Sequence, residues 1–306
     1  MEREVKARVL RLRSYAKINL GLEVLGVRQD GYHELRTLFQ TVSLHDELTL
    51  RLTTRGPRSL SCDHPQVPND GTNLALRAAR ELLAWAKRPE GVAIELVKHI
   101  PVAGGLGGGS SNAAAVLLGL DHALKLGLGQ AGLLPLARRL GADVPYFLYG
   151  GTALGLARGD EVYPLARQLQ APVVVVDPGR PLSTPAVFRR CDARLTPREN
   201  SRSIFYFVSS DLEGDAAFRS LTNELEIAAL EEAPDLKPAV SRIRGALSEA
   251  GARHTALSGS GSAYFGIFAE HRRARGAVAA LRALGFRAFG CRTLTLDQYR
   301  RGVQQG

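Results

Sequence analysis

Residues 101–112 read PVAGGLGGGSSN, and the fold of this chain is most directly inferred from this stretch. Alternating apolar residues from Val92 to Leu96 predict a strand before it, and the apolar run that follows it predicts a helix. Five glycines between Gly104 and Gly109 allow backbone N–H groups to converge on an anion, and the helix N-terminus adds a positive dipole. The stretch therefore predicts a strand, loop and helix that bind phosphate.

Two familiar phosphate-binding motifs do not fit this loop. A Walker A loop needs a lysine before its serine, whereas Gly109 is followed directly by Ser110 and Ser111. The dinucleotide fingerprint requires a third glycine where Ser110 stands. A third kind of phosphate cradle is the preferred interpretation, and a flexible linker or a tight turn is the alternative.

The rest of the chain mixes strands and helices. Residues 8–25 predict a strand with one buried and one polar face, and residues 34–43 and 46–52 predict an antiparallel continuation. The run APVVVVDPG at 171–179 predicts a buried central strand. The last residues, 300–306, are expected to form a loose tail. This order favours an α+β fold over a doubly wound sheet, and a length of 306 residues favours two domains.

Composition limits the partners. The chain carries 40 Lys and Arg against 30 Asp and Glu, a net charge of +10, which favours acidic partners such as phosphorylated molecules or nucleic acid. Aromatic residues are only 6%, and the cations are not concentrated in an arm, which disfavours nucleic acid. Cys62, Cys191 and Cys291 show no disulfide or zinc spacing. With no apolar leader or spanning segment, we expect a cytoplasmic protein without a membrane partner, and a monomer by default.

Two glycine motifs in order resemble those of a known family. The stretch 101–111 resembles the central ATP-binding motif of the GHMP small-molecule kinases, and LSGSG at 257–261 resembles their C-terminal glycine motif. The sequences AKINL at 16–20, DGYH at 30–33 and GADVP at 141–145, with the segment 178–185, resemble one branch of that family. The resemblance runs from about residue 12 to about residue 296. One departure is Ala103, where glycine is usual.

The resemblance implies both fold and activity. It implies a two-domain α+β architecture, with an N-terminal ATP-binding domain at 1–167, built on a mixed and largely antiparallel sheet, and a C-terminal ferredoxin-like domain at 168–306. It also implies that ATP with Mg²⁺ phosphorylates the 2-hydroxyl of a cytidine-diphosphate-linked methylerythritol in the non-mevalonate isoprenoid pathway. Another GHMP kinase, acting on homoserine, mevalonate or a sugar, is the alternative. A basic nucleic-acid-binding protein is the third hypothesis.

Lys17 and Asp143 are the candidate catalytic residues. The resemblance implies that Asp143 takes the proton of the acceptor hydroxyl while Lys17 keeps that carboxylate ionised and stabilises charge on the phosphoryl group. From the residues alone, Lys17 is equally well a solvated residue on the polar face of a strand. Asp143 is alternatively a helix cap or a salt-bridge partner.

The resemblance also implies two binding sets. Tyr32 and Phe188 would stack on the cytosine while His33 bonds its polar edge, although a lone Phe188 would otherwise be assigned to core packing. Ser110 or Ser111 could hold the magnesium ion or a phosphate, and the metal ligands stay unassigned. The candidate acceptor-binding residues are Asn19, Tyr32, His33, Thr184 and Phe188, and the candidate ATP-binding residues are Asn73, Lys98, Pro101, Val102, Ala103, Gly104, Gly105, Leu106, Gly107, Gly108, Gly109, Ser110, Ser111 and Asn112.

Overall fold

The structure is a computed structural model, and it describes residues 8–192, 204, 208, 218 and 220–304. No helix within these ranges is long and apolar enough to cross a lipid bilayer. The strands are β1 (Arg8–Val27), β2 (His33–Thr53), β3 (Arg58–Cys62), β4 (Gly91–Val97), β5 (Thr152–Ala157), β6 (Glu161–Pro164), β7 (Pro172–Asp177), β8 (His254–Leu257), β9 (Tyr264–Ile267) and β10 (Arg287–Arg292). The helices are α1 (Leu74–Trp85), α2 (Gly108–Leu124), α3 (Gly129–Leu140), α4 (Tyr146–Tyr149), α5 (Thr184–Asp192), α6 (Leu225–Glu232), α7 (Lys237–Glu249), α8 (His271–Ala283) and α9 (Leu296–Gln304), with a 3₁₀ turn at Pro234–Leu236.

The first sheet is built around β2. The sequence predicted two extended segments here, but the structure has one continuous strand. It pairs with β1 on one side and with β4 and β5 on the other, always antiparallel. Only the β3–β4 pair is parallel among the described strands. The predicted mixed and largely antiparallel sheet is therefore confirmed.

The second sheet has the strand order β10-β7-β9-β8, with every pair antiparallel. Its inner strand β7 is buried at every residue, as its unbroken apolar run predicted. Val174 and Val176 pack against the helices of the second half of the chain, while Val173 and Val175 face residues of β1 and β2. The apolar layer between the two sheets joins the halves of the chain and confirms the α+β class.

Strand β1 differs from its prediction. The alternating pattern predicted one polar face, but almost every residue from Ser14 to Val24 is buried. Lys17, Asn19 and Glu23 expose only 3%, 2% and 1% of their surface. The reason is that β1 is covered on one face by helices and on the other by the second sheet. Its polar residues therefore require internal partners.

The loose tail predicted for residues 300–306 is wrong for residues 300–304, and residues 305–306 lie outside the described part of the chain. Residues 296–304 form helix α9, which packs on β1 of the first sheet. Tyr299 and Val303 lie one helical turn apart and are buried beside Tyr15. The Tyr299 hydroxyl donates a hydrogen bond to the backbone oxygen of Phe147. Helix α9, late in the sequence, thus contacts the first sheet. The domain boundary between residues 167 and 168 stays a prediction.

Asp46 on β2 holds the segment before the glycine loop against the helix after it. Its fully buried carboxylate accepts hydrogen bonds from the backbone N–H groups of His99 and Ile100, at 2.9 and 2.8 Å. It also pairs with the ammonium of Lys98 and accepts from the amide of Asn112 on α2, at 3.0 Å. One carboxylate therefore fixes both ends of the loop.

We predict that Asp46→Ala destabilises the protein by about 3–5 kcal/mol, because it leaves the buried Lys98 charge without its partner and strips two N–H groups of their acceptor. Urea unfolding at neutral pH measures the effect. Glu95→Ala is the control, since Glu95 forms an exposed ion pair with Arg51 on the same sheet and should change stability by less than about 1 kcal/mol. Equal midpoints for the two variants would contradict the role of Asp46.

Candidate active site

The glycine loop ends at the N-terminus of α2. The helix begins at Gly108, within the glycine run, and its N-cap Gly107 has a φ of 69°. No described side chain caps this end. The first N–H groups of an α-helix have no acceptor within the helix, and the helix dipole is positive there. This end of α2 can therefore bind an anion.

The second glycine motif packs directly against the loop. The Ser258 hydroxyl donates to the Gly105 oxygen at 3.0 Å, and the Ala263 N–H donates to the Gly104 oxygen at 3.1 Å. A Cβ on Gly105 would lie only 2.0 Å from the Ser258 oxygen, and Gly105 has a φ of +73°. Glycine is thus required at this position both by the close approach and by the backbone conformation.

Lys17 and Asp143 form an ion pair beside the loop, with Lys17 Nζ 3.5 Å from Asp143 Oδ2. Lys17 is buried, so the alternative of a solvated strand residue is wrong. Asp143 is not the N-cap of the next helix, α4, because that position belongs to Pro145. The side chain of Asp143 remains 35% exposed. It can therefore reach a molecule bound in front of it.

Apolar and aromatic groups confine the Lys17 side chain. Its ammonium lies 5.6 Å from the centre of the Phe39 ring. A Cβ at Gly107 would meet both the Phe147 ring, at 2.8 Å, and Lys17 Cγ, at 3.1 Å. Burial raises the pKa of the neighbouring Tyr146 hydroxyl well above its usual value. Tyr146 therefore stays neutral and adds no competing charge.

The predicted base-binding residues lie close together in the site. Tyr32 follows a turn in which its N–H donates to Asp30 Oδ1 at 3.1 Å, and this bond lowers the pKa of Asp30. The His33 ring contacts the Phe188 ring with centroids 4.6 Å apart. Tyr32 is 54% exposed and lies against the Arg158 guanidinium, 4.8 Å from its ring centre. The aromatic groups thus flank one entrance.

All but one of the predicted site residues line a single cavity of about 870 Å³, within the range of small-molecule sites. The exception is Ser111, whose hydroxyl is buried and accepts from Ser14 at 2.8 Å. Asn73 borders the cavity and also caps α1, since its side-chain oxygen accepts from the Ala75 N–H. The candidate residues lining the cavity are Lys17, Asn19, Tyr32, His33, Asn73, Lys98, Pro101, Val102, Ala103, Gly104, Gly105, Leu106, Gly107, Gly108, Gly109, Ser110, Asn112, Asp143, Thr184 and Phe188.

Several cavity residues were missed by the sequence analysis. Arg158 and Asp192 also line it, and Asp192 accepts a hydrogen bond from His33 Nε2. Thr37 lies on the neighbouring part of β2 and is buried. No spacing in the sequence marks these three residues, because strands and helices distant in the chain bring them together.

No metal cage is present in the described part of the chain, since no three His, Cys, Asp or Glu residues converge as ligands there. Magnesium bound with nucleotide phosphates keeps several waters and needs few protein ligands. Ser110 lines the cavity at the first turn of α2, next to the anion-binding N–H groups. The site therefore fits a magnesium ion that arrives with a nucleotide.

Comparison with known proteins identifies the family. The GHMP kinases N terminal domain matches residues 73–151, and the GHMP kinases C terminal domain matches residues 214–286. A 4-diphosphocytidyl-2-C-methyl-D-erythritol kinase of Geobacter metallireducens is 39% identical over 88% of this chain and 92% of its own.

Solved structures agree with this assignment. A crystal structure of 4-(cytidine 5'-diphospho)-2C-methyl-D-erythritol kinase is 39% identical, with a TM-score of 0.75 over 93% of this chain and 99% of its own. A homoserine kinase of Cytophaga hutchinsonii, 19% identical with a TM-score of 0.73 over 96% of this chain and 97% of its own, shows the shared fold alone. The chain therefore belongs to the GHMP kinase family, among the 4-diphosphocytidyl-2-C-methyl-D-erythritol kinases, and is a phosphotransferase.

Proposed function

We propose that this chain transfers the terminal phosphoryl group of ATP to the 2-hydroxyl of 4-diphosphocytidyl-2-C-methyl-D-erythritol, a step in isoprenoid precursor synthesis. The names of relatives about 40% identical over most of the chain support this acceptor. The observation that carries the proposal is the Lys17–Asp143 pair, 3.5 Å apart, which borders the same cavity as the glycine loop and the aromatic entrance.

In this proposal the nucleotide phosphates bind the glycine loop. The free N–H groups at the start of α2 and its dipole supply donors and positive potential without a charged side chain. Asn73 and Lys98 border the adenine side, and their internal bonds to Ala75 and Asp46 hold that wall of the cavity in place. Magnesium, held by the phosphates and the Ser110 hydroxyl, would neutralise phosphate charge.

The pair Lys17 and Asp143 divides the chemistry. Asp143 is negatively charged and exposed enough to accept the proton of the acceptor hydroxyl as that oxygen attacks phosphorus. Lys17 carries three N–H donors, one given to Asn19 at 2.7 Å and one directed at Asp143. The third can contact the transferring phosphoryl group, where charge accumulates.

The acceptor end of the cavity suits a nucleobase. Tyr32 and Phe188 offer aromatic faces, and stacking on such faces contributes about 1–3 kcal/mol per base. His33 beside them can exchange a hydrogen bond with the polar edge of cytosine. Thr184, hydrogen-bonded to Ser260 at 2.7 Å, lines the cavity on the side of the second glycine motif. In this proposal the diphosphocytidyl group lies between these rings and the Lys17–Asp143 pair.

Asp143→Asn tests the general base. Turnover should fall at least about a hundredfold because the amide cannot accept the proton, while nucleotide affinity should change little. A coupled assay of ADP release and a calorimetric titration with ATP measure the two quantities. Glu161→Gln, on strand β6 and exposed, is the matched control and should retain full turnover. Near-normal turnover of Asp143→Asn would remove Asp143 from the mechanism.

Gly105→Ala tests the phosphate cradle. The added methyl would collide with the Ser258 oxygen at a left-handed backbone position, so the loop must move and ATP affinity should fall at least about tenfold. Gly276→Ala is the control, since a Cβ there meets no neighbour within 4 Å on helix α8. If a folded Gly105→Ala protein bound ATP normally, the cradle would be ruled out.

Tyr32→Ala and Phe188→Ala test base recognition. Each should weaken acceptor binding by about 1–3 kcal/mol and leave ATP affinity unchanged, because in this proposal the rings stack on the acceptor base alone. Acceptor KM and competition by CDP against UDP measure the effect. Tyr163→Ala, an exposed tyrosine outside the cavity, serves as control. Equal competition by CDP and UDP in the unmodified protein would contradict a cytidine site.

A further inference from the structure

Three buried hydrogen bonds lead from the Lys17 ammonium to the backbone of β1. Lys17 Nζ donates to Asn19 Oδ1 at 2.7 Å, Asn19 Nδ2 donates to Thr37 Oγ1 at 2.8 Å, and Thr37 Oγ1 donates to the Gly21 oxygen at 2.8 Å. Lys17, Asn19 and Thr37 expose 3%, 2% and 1% of their surface. All three side chains that form these hydrogen bonds are therefore largely shielded from water.

The chemistry of the four groups permits one arrangement. An ammonium group only donates, so the amide of Asn19 must present its oxygen to Lys17 and its nitrogen to Thr37. A backbone oxygen only accepts, so Thr37 must give its single proton to Gly21. The Thr37 hydroxyl is then left to accept from Asn19. The ammonium thus orients the amide, and Thr37 holds the amide from its other end.

The pair is also confined from the second half of the chain. A Cβ at Gly259 would lie 3.2 Å from both Asn19 Oδ1 and Lys17 Nζ. Asn19, predicted as an acceptor-binding residue, thus has both polar ends of its amide engaged within the protein. The Asn19 amide oxygen accepts its hydrogen bond from the Lys17 ammonium.

We propose that Thr37 is a positioning residue that acts through Asn19 on the Lys17 ammonium, an inference that rests on the function proposed for Lys17. Without the Thr37 hydroxyl, the Asn19 amide nitrogen loses its acceptor, and only the ammonium still holds the amide. The amide can then tilt, and the ammonium shifts from the position in which it contacts both Asp143 and the phosphoryl group. Turnover falls, whereas ATP binding at the glycine loop is retained.

Thr37→Val removes the hydroxyl at nearly constant shape, and Thr37→Ser retains it as the matched control. Loss of an outer partner that orients a metal ligand typically costs about 10–100-fold in activity, and we expect a decrease of that order in kcat for Thr37→Val. KM for ATP should stay within about twofold, and Thr37→Ser should recover most of the turnover. Thermal melting and circular dichroism establish that each variant is folded.

A double-mutant cycle separates positioning from a merely structural effect. In an Asn19→Asp background the side chain has no N–H to donate to Thr37, so this contact is already lost and Thr37→Val should cost much less turnover than in the native background. An equal cost in both backgrounds would overturn the proposal. If Thr37→Val fails to fold, Thr37→Ala takes its place in the same cycle.

Other outcomes are also decisive. Native kcat in folded Thr37→Val, or an equal loss in Thr37→Ser, would overturn the positioning role. A loss confined to the KM of the acceptor would instead make Thr37 a substrate contact and also overturn it. Lys17→Ala, measured in parallel, distinguishes this failure from that of the proposed function. Native turnover in Lys17→Ala would refute the role of Lys17 itself, whatever Thr37→Val does.

Discussion

The close approach of Gly105 to the carbonyl of Ser258 is the constraint on which the site depends. It places the two glycine motifs, more than a hundred residues apart in sequence, in such close contact that a Cβ on Gly105 would collide with the Ser258 oxygen. Because the first motif begins α2 and the second follows β8, this contact fixes α2 relative to the second sheet. The Lys17 side chain lies beside both motifs, so their separation also sets the space around the Lys17–Asp143 pair.

Packing two sheets against each other also buries polar groups near the site. Lys17 and Asp46 both lie on strands whose faces are covered, and an unpaired charge in such a place is expensive. The structure resolves each case with a partner of opposite charge, Asp143 for Lys17 and Lys98 for Asp46. The two pairs differ in exposure. The Asp46–Lys98 pair is almost completely buried, as is typical of an ion pair that stabilises the fold. Asp143 is exposed toward the cavity and can contact a bound molecule.

Local pattern was sufficient where the determining contacts are local. The glycine loop, the helix after it and the buried strand β7 follow from composition and periodicity, and the structure contains all three. The burial of Lys17 could not be predicted, because it depends on a second sheet formed by residues far along the chain. The burial of Asp46 could have been inferred from the local pattern. Asp46 stands two residues before Leu48 on the same alternating face of β2, so the two side chains point to the same buried side.

Ala103 shows how the loop tolerates a departure from its usual sequence. Its φ of 55° lies in the left-handed region, where a residue with a Cβ costs about 1–2 kcal/mol relative to a right-handed conformation. Its side chain is exposed at the start of the loop, in contrast to Gly105, whose missing Cβ is needed for packing. The cost at Ala103 is therefore one of backbone conformation rather than of contact. The bonds that fix the loop involve Gly104 and Gly105, and the N–H groups at the start of α2 lie after them. A methyl group at residue 103 leaves all of these unchanged, and so the loop retains the geometry on which the proposed phosphate binding depends.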